Sequence, residues 1–348
     1  MNRPVHGGNL AWAARVASCP RSLIVDFSAS INPLGPPSKV MAAIVGSMEV
    51  LRSYPDPHYW GLRSALGQFH QLSPEWILPG NGSAELLTWA SRELAGQCSQ
   101  TYLLTPAFGD YWRALAANGA TIQPCPLRGG INCQNVLPKS GLLLNNPHNP
   151  TGKLLRVREI EPYLKQFALV VVDEAFMDFL PPSEEQSLIP LVQDYPHLVI
   201  LRSLTKFYSL PGLRLGYAIA HPDRLARWQK WRDPWPVNAL AAAAGEAAIV
   251  DSQFQEQTWN WLPPTRAKLF DGLKSLPGLM PLICYANFIL VKTECSASQL
   301  QAKLLPLHRI LIRDCLSFPE LGDRYFRVAV LSGEDNQRLL DALKVILT

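Results

Sequence analysis

The chain has 348 residues, 48% of them apolar, and a formal net charge of +4. That length and apolar content exclude a disordered chain and support a large core divided between two unequal units. No block of Lys and Arg concentrates the small positive charge, so nucleic acid is not an indicated partner and any basic site is expected to serve a small anion.

Seven cysteines, at 19, 98, 125, 133, 284, 295 and 315, include no Cys-x-x-Cys pair. Their spacing argues against a zinc site or a disulfide framework and for reduced thiols. No uncharged apolar run approaches the ~18 residues of a membrane span, and no signal-peptide core follows the N-terminus. A cytoplasmic protein with no membrane partner is expected.

Residues 1–46 are rich in Gly, Pro and Asn and read as an N-terminal arm lying against the C-terminal unit. In residues 47–240, Gly80-Asn81-Gly82-Ser83 leads into Leu86, Leu87, Ala90 and Leu94, a glycine turn feeding a helix. Short apolar runs follow at 102–105, 141–144, 169–173 and 198–201, alternating with helical patterns. Unbroken runs of this length predict a mostly parallel sheet covered on both faces, hence a large α/β domain. After Pro234 and Pro236 an alanine-rich helix begins. Residues 241–348 read as a smaller α+β domain, with strands near 287–291 and 326–330 and a last helix carrying Leu339, Leu340, Leu343 and Ile346.

Lys206 closes the last apolar run of the large domain, in Ser203-Leu204-Thr205-Lys206, with Arg214 eight residues on. A lysine bracketed by hydroxyls and an arginine has the setting of a Schiff-base lysine, whose amine condenses with an aldehyde cofactor beside groups that hold a phosphate. Asp173 ends the most apolar strand, where open α/β sheets bind ligands and where a carboxylate can pair with a protonated pyridine nitrogen. The same carboxylate would serve equally as a helix cap. Gly82 and Ser83 offer backbone N–H groups at a helix N-terminus suited to a phosphate, although lone glycine turns are more often structural. Phe108 could stack on a planar ring or fill the core. Asn149 lies in Asn146-Pro147-His148-Asn149-Pro150-Thr151-Gly152, a turn able to present its amide to a ring oxygen.

Taken in chain order, glycine loop, aromatic, asparagine, aspartate, lysine and arginine resemble the fold-type I pyridoxal phosphate enzymes of the class I and II aminotransferase superfamily. The resemblance covers nearly the whole chain. It implies a large domain with a mostly parallel seven-stranded sheet plus a smaller α+β domain, and pyridoxal 5′-phosphate as cofactor. Lys206 would then be the Schiff-base residue, Asp173 would meet the pyridine nitrogen, Asn149 the 3′-oxygen and Phe108 the ring face. Gly82, Ser83, Ser203, Thr205 and Arg214 would hold the cofactor phosphate. Tyr54, in Arg52-Ser53-Tyr54-Pro55-Asp56, resembles the family tyrosine that crosses to the partner subunit, which implies a homodimer.

Two branches compete within the superfamily, the threonine-phosphate decarboxylases of cobalamin biosynthesis and the histidinol-phosphate aminotransferases. His6-Gly7-Gly8-Asn9 together with Asp26-Phe27-Ser28-Ala29-Ser30-Ile31-Asn32-Pro33 is similar to the opening of the decarboxylases. Ser30 stands where that pattern commonly has asparagine, and Phe176 replaces the tyrosine that many aminotransferases carry after Asp-Glu-Ala. The decarboxylase resemblance implies a small phosphorylated amino acid as substrate, L-threonine O-3-phosphate, yielding (R)-1-amino-2-propanol O-2-phosphate. Arg327 would hold the substrate carboxylate, with Asn149 beside it, while His6, Ser30, Asn32 and Arg313 would face the substrate phosphate. A surface ion pair is the ordinary alternative for either arginine, and their strand-end positions together with the resemblance favour the site.

Overall fold

The computed structural model describes residues 4–348, so the first three residues of the expected arm lie outside the described residues. An isolated two-residue strand, β1 (Val25–Asp26), precedes the main sheet. The main sheet is built from β2 (Ile77–Asn81), β3 (Thr101–Thr105), β4 (Ile122–Arg128), β5 (Gly130–Ile131), β6 (Gly141–Asn145), β7 (Leu169–Asp173), β8 (Leu198–Ser203) and β9 (Leu215–Ala220). Its strand order is β2-β9-β8-β7-β6-β3-β4-β5. The central strands β8, β7, β6, β3 and β4 pair in parallel, and β9 runs antiparallel between β8 and β2. Seven strands form the mostly parallel sheet anticipated from the apolar runs. The eighth, β5, is a two-residue hairpin return on the edge strand β4.

Every residue of β3, β6, β8 and β9 is buried, which is why these segments read as unbroken apolar runs rather than as alternating ones. Alternate side chains of one strand feed different layers. Val170, Val172, Leu198 and Ile200 pack with Leu62, Leu66 and Ala241 on one face, whereas Val171, Val199 and Leu201 pack with Leu86, Leu87, Ala90 and Leu94 on the other.

A second sheet follows, with β10 (Leu279–Pro281), β11 (Phe288–Thr293), β12 (Ile310–Leu311), β13 (Arg313–Asp314) and β14 (Tyr325–Ala329). Four of these form an antiparallel sheet in the order β10-β11-β14-β13. β12 instead pairs in parallel with β1, which ties the start of the chain to its end. The helix Ser252–Lys274 leads into this sheet and contains Pro263 and Pro264, residues that ordinarily break a helix interior and that hide it from pattern reading. Its buried face of Phe254, Thr258, Leu262, Leu269 and Leu273 holds it in place.

One expectation is corrected at the sheet edge. Cys125 and Cys133 form a disulfide rather than remaining reduced thiols. The β4–β5 hairpin folds the chain back on itself, so two positions eight apart reach a Cα separation of 4.8 Å, within bridging range. Cys19, Cys98, Cys284, Cys295 and Cys315 are free. Among the described residues no helix is long and apolar enough to cross a membrane.

Candidate active site

The carboxyl ends of β3, β6, β7 and β8 deliver the chemically distinctive side chains. β8 runs directly into the four-residue helix Leu204–Phe207, which carries Lys206 at the end of a central strand. The Lys206 Nζ lies 3.5 Å from Ser203 Oγ and 5.0 Å from the centroid of the Phe176 ring. Burial pushes its amine below the ordinary lysine range; Asp173 opposes that, while Arg214 and Arg327 add to it. A lysine so placed is a better nucleophile near neutral pH than one in water.

Asp173 ends the neighbouring strand. Its Oδ1 accepts from the Ala175 N–H at 2.9 Å and its Oδ2 from the Tyr111 hydroxyl at 2.8 Å. Burial pushes its pKa above the ordinary carboxylate range, and Lys206 followed by the two donors pulls it back. Tyr111 sits in the first turn of the helix Gly109–Ala117. Asn149 approaches from the turn after β6, and its Oδ1 accepts from Arg327 Nη1 at 2.5 Å.

Arg327 is buried in β14 with its guanidinium 4.6 Å from the centroid of the Phe288 ring. Burial, and then Arg313 beside it, pushes it down to about 10, which leaves it charged through the neutral range. These groups enclose a cavity of about 230 Å³ whose wall includes His6, Ser30, Ser83, Phe108, Tyr111, Asn145, Asn149, Asp173, Phe176, Lys206 and Arg327. Three buried polar atoms on that wall, Ser30 Oγ, Asn145 Oδ1 and Arg327 Nε, have no hydrogen-bond partner among the described residues. Buried polar atoms are seldom left so, and here they mark a wall shaped for a polar ligand.

At one end of the cavity the helix Ser83–Gln97 begins behind Gly82, whose φ of +74° lies in the region that favours glycine. A Cβ at Gly82 would stand 2.5 Å from Arg214 Nη2, so glycine is what lets the guanidinium close on the helix end. Ser203 pairs with Gly216 across β8 and β9, and a Cβ at Gly216 would stand 2.6 Å from the Ser83 N atom. The Ser203 and Thr205 hydroxyls lie 2.8 Å apart on the same side as the lysine. A helix N-terminus, two hydroxyls and a guanidinium make a cradle for a dianion.

Residues 23–343 match the family model for aminotransferase class I and II. The chain belongs to that family. It is 41% identical to the threonine-phosphate decarboxylase of Salmonella typhimurium over 99% of this chain and 96% of the relative. It is 33% identical to the histidinol-phosphate aminotransferase of Symbiobacterium thermophilum over 93% of this chain and 91% of that one. Among solved structures, the L-threonine-O-3-phosphate decarboxylase of Porphyromonas gingivalis superposes with a TM-score of 0.86 at 25% identity, covering 93% of this chain and 99% of that chain.

Not every residue expected at this aminotransferase-family site reaches the cavity. Asn32 is a correction: its amide donates to the Phe207 carbonyl and to Thr258 Oγ1, both at 2.9 Å, and accepts from the Leu34 N–H at 3.1 Å. Its backbone N–H donates to the Lys206 carbonyl at 3.0 Å, so Asn32 braces the lysine segment from behind instead of facing a ligand. Arg313 sits opposite Arg327 in the register of β13 and β14 and lines a smaller adjoining recess with His6, Gly7 and Ser28. Its Nη2 donates to the Val5 carbonyl and to Ser317 Oγ. His6 belongs to both spaces, and its ring lies 5.5 Å from Phe108. Tyr54 is 78% exposed, stacked on Trp235 at 4.3 Å and absent from the cavity of its own chain. Tyr111 is the contact that motif reading passes over. The available signal is its spacing, three residues after Phe108 on a helix that starts at Gly109, which sends both rings toward one side.

Proposed function

We propose that this enzyme is a threonine-phosphate decarboxylase: with pyridoxal 5′-phosphate it converts L-threonine O-3-phosphate to CO₂ and (R)-1-amino-2-propanol O-2-phosphate, a step of cobalamin assembly. The 41% identity running the full length of both chains carries this reading. The aminotransferase branch stands further off, at 33%.

The residues present fit the cofactor. The glycine-gated cradle of Ser83, Ser203, Thr205 and Arg214 suits its phosphate, and the partnerless Asn145 Oδ1 points to a polar occupant of the cavity. In our assignment Lys206 binds the aldehyde carbon, Asp173 the ring nitrogen, Asn149 the 3′-oxygen and Phe108 the ring face. When bound, pyridoxal phosphate supplies an electron sink for the pair left behind when a bond to the substrate Cα breaks. Asp173, whose donors and neighbouring Lys206 oppose the neutralising effect of burial, sustains that sink. Arg327 pairs with the substrate carboxylate from the second sheet, and its tie to Asn149 sets its distance from the ring. His6 and Arg313, with Ser30 on the wall between them and the lysine, receive the substrate phosphate. The Lys206 amine then delivers to Cα the proton that replaces CO₂.

Tyr54 is assigned to the active site of a second copy of the chain. Its exposure, its stacking on Trp235 and the exposed Met48, Val50, Leu51 and Trp60 around it in sequence favour a homodimer docked at this face. The deciding experiment supplies O-phospho-L-threonine and measures CO₂, against histidinol phosphate with 2-oxoglutarate and measures glutamate. Efficient glutamate formation without CO₂ would overturn the decarboxylase reading in favour of the aminotransferase.

A further inference from the structure

Asp173 already carries two protein donors, one on each oxygen. The Ala175 N–H comes from its own turn, two residues on. Tyr111 comes from a different element, and it is 3% exposed and meets Phe108 edge-on at 5.7 Å and 85°, which packs the ring in place. The terminal torsion of an aspartate is broad, and a single local donor leaves the other oxygen free to swing. A second donor from across the cavity removes that freedom.

We propose that Tyr111 is a positioning residue: its hydroxyl fixes the rotation of the Asp173 carboxylate, so that one oxygen stays turned toward the ring nitrogen of the cofactor. The inference rests on the assignment of Asp173 to that nitrogen. The groups facing the carboxylate are the Lys206 amine beyond β8, and Tyr111 and Asp110 on the helix Gly109–Ala117. Burial drives Asp173 toward the neutral acid, Asp110 adds to that, and Lys206 and Tyr111 oppose it. Of the groups that oppose it, the Ala175 N–H belongs to the carboxylate's own turn, and Lys206 takes part in the reaction and changes its bonding during the cycle. Tyr111 does not, and burial together with Asp173 holds its own hydroxyl protonated far above neutral pH. It is therefore the donor from outside the carboxylate's own turn that stays constant from one step to the next.

The test is Tyr111→Phe in the holoenzyme reconstituted with pyridoxal phosphate, a change that keeps the packed ring and removes only the hydroxyl. Expected are an unchanged thermal midpoint, a cofactor Kd within about threefold of wild type, a KM within about twofold and a kcat lower by about tenfold, the scale of one charge-assisted hydrogen bond. Without its donor the carboxyl neutralises at higher pH, so the acid limb of the kcat profile should move up by about one pH unit. With cofactor labelled by ¹⁵N in the ring, the resonance measured by magic-angle-spinning NMR should shift from the pyridinium toward the neutral pyridine position. A wild-type pH profile and an unshifted resonance would overturn the proposal. Asp173→Asn separates the two levels: if it is inactive while Tyr111→Phe is normal, only the role of Tyr111 fails, whereas wild-type turnover by Asp173→Asn removes the underlying assignment as well.

Discussion

Replacing Arg327 by methionine tests how the enzyme divides its binding energy between substrate and cofactor. Arg327 is 8% exposed, and its Nη1 is taken by Asn149, which leaves Nε and Nη2 as the donors for a carboxylate. Two hydrogen bonds to an ionised partner are worth about 1.5–3 kcal/mol each, so their joint loss is roughly 3–6 kcal/mol. At about 1.4 kcal/mol per factor of ten, kcat/KM should fall by roughly 10²- to 10⁴-fold. The cofactor loses no direct contact; only Asn149 is released, and its Kd should weaken by less than about tenfold. Methionine preserves most of the apolar stem, so packing against Phe288 survives. CO₂ release as a function of O-phosphothreonine concentration gives the first quantity, and titration of the visible absorbance with pyridoxal phosphate gives the second. Equal losses in both, or a kcat/KM loss below about tenfold, would refute a carboxylate role for this arginine.

Lys206→Ala should show no absorbance from covalently bound cofactor and no measurable turnover in a spectral titration and CO₂ assay; residual activity near wild type would remove the lysine from the chemistry. Gly82→Ala forces a Cβ into a positive-φ position and against the Arg214 guanidinium, which gives way by leaving the phosphate cradle. We expect cofactor affinity to drop at least about tenfold by spectral titration, with about 1–2 kcal/mol of backbone strain lowering the thermal midpoint. Glu174 is pushed up to about 7 by burial, against the pull of Arg202. Its folded state therefore holds a proton that the unfolded chain has already lost, and its contribution to stability declines as pH rises from about 4.5 to about 7. Glu174→Gln should abolish that component of the slope in thermal midpoints measured from pH 4.5 to pH 8, and an unchanged slope would disprove it.

The parts of this fold that sequence makes plain are those where burial is uniform. β6, β7 and β8 announce themselves as apolar runs because both faces are covered, and Asp173 at the end of one run and Lys206 just beyond another stand out as charged residues beside them. Segments whose structure depends on a partner far along the chain are less legible. β4 buries only Cys125 of its seven residues and carries two prolines, and the disulfide beside it exists only because the chain turns back there into the two-residue β5. Asn32 shows the limit for the site. Its position in a recognisable motif says nothing of which way the amide points, and in the fold it points away from the ligand space into the junction of three segments. Tyr111 shows the converse, a contact made by helix phase rather than by any motif.

That junction bears on how the protein acquires its active site at all. The Asn32 amide bridges the Phe207 carbonyl, 175 residues away in sequence, and the Thr258 hydroxyl, 226 residues away, while the Asn32 backbone closes on the carbonyl of Lys206 itself. Contacts of such separation close large loops, whose entropic cost delays their formation. The reactive lysine therefore receives this bracing only once the N-terminal arm has closed on the segment after β8 and on the helix Ser252–Lys274, so cofactor capture should report that these three distant segments have assembled.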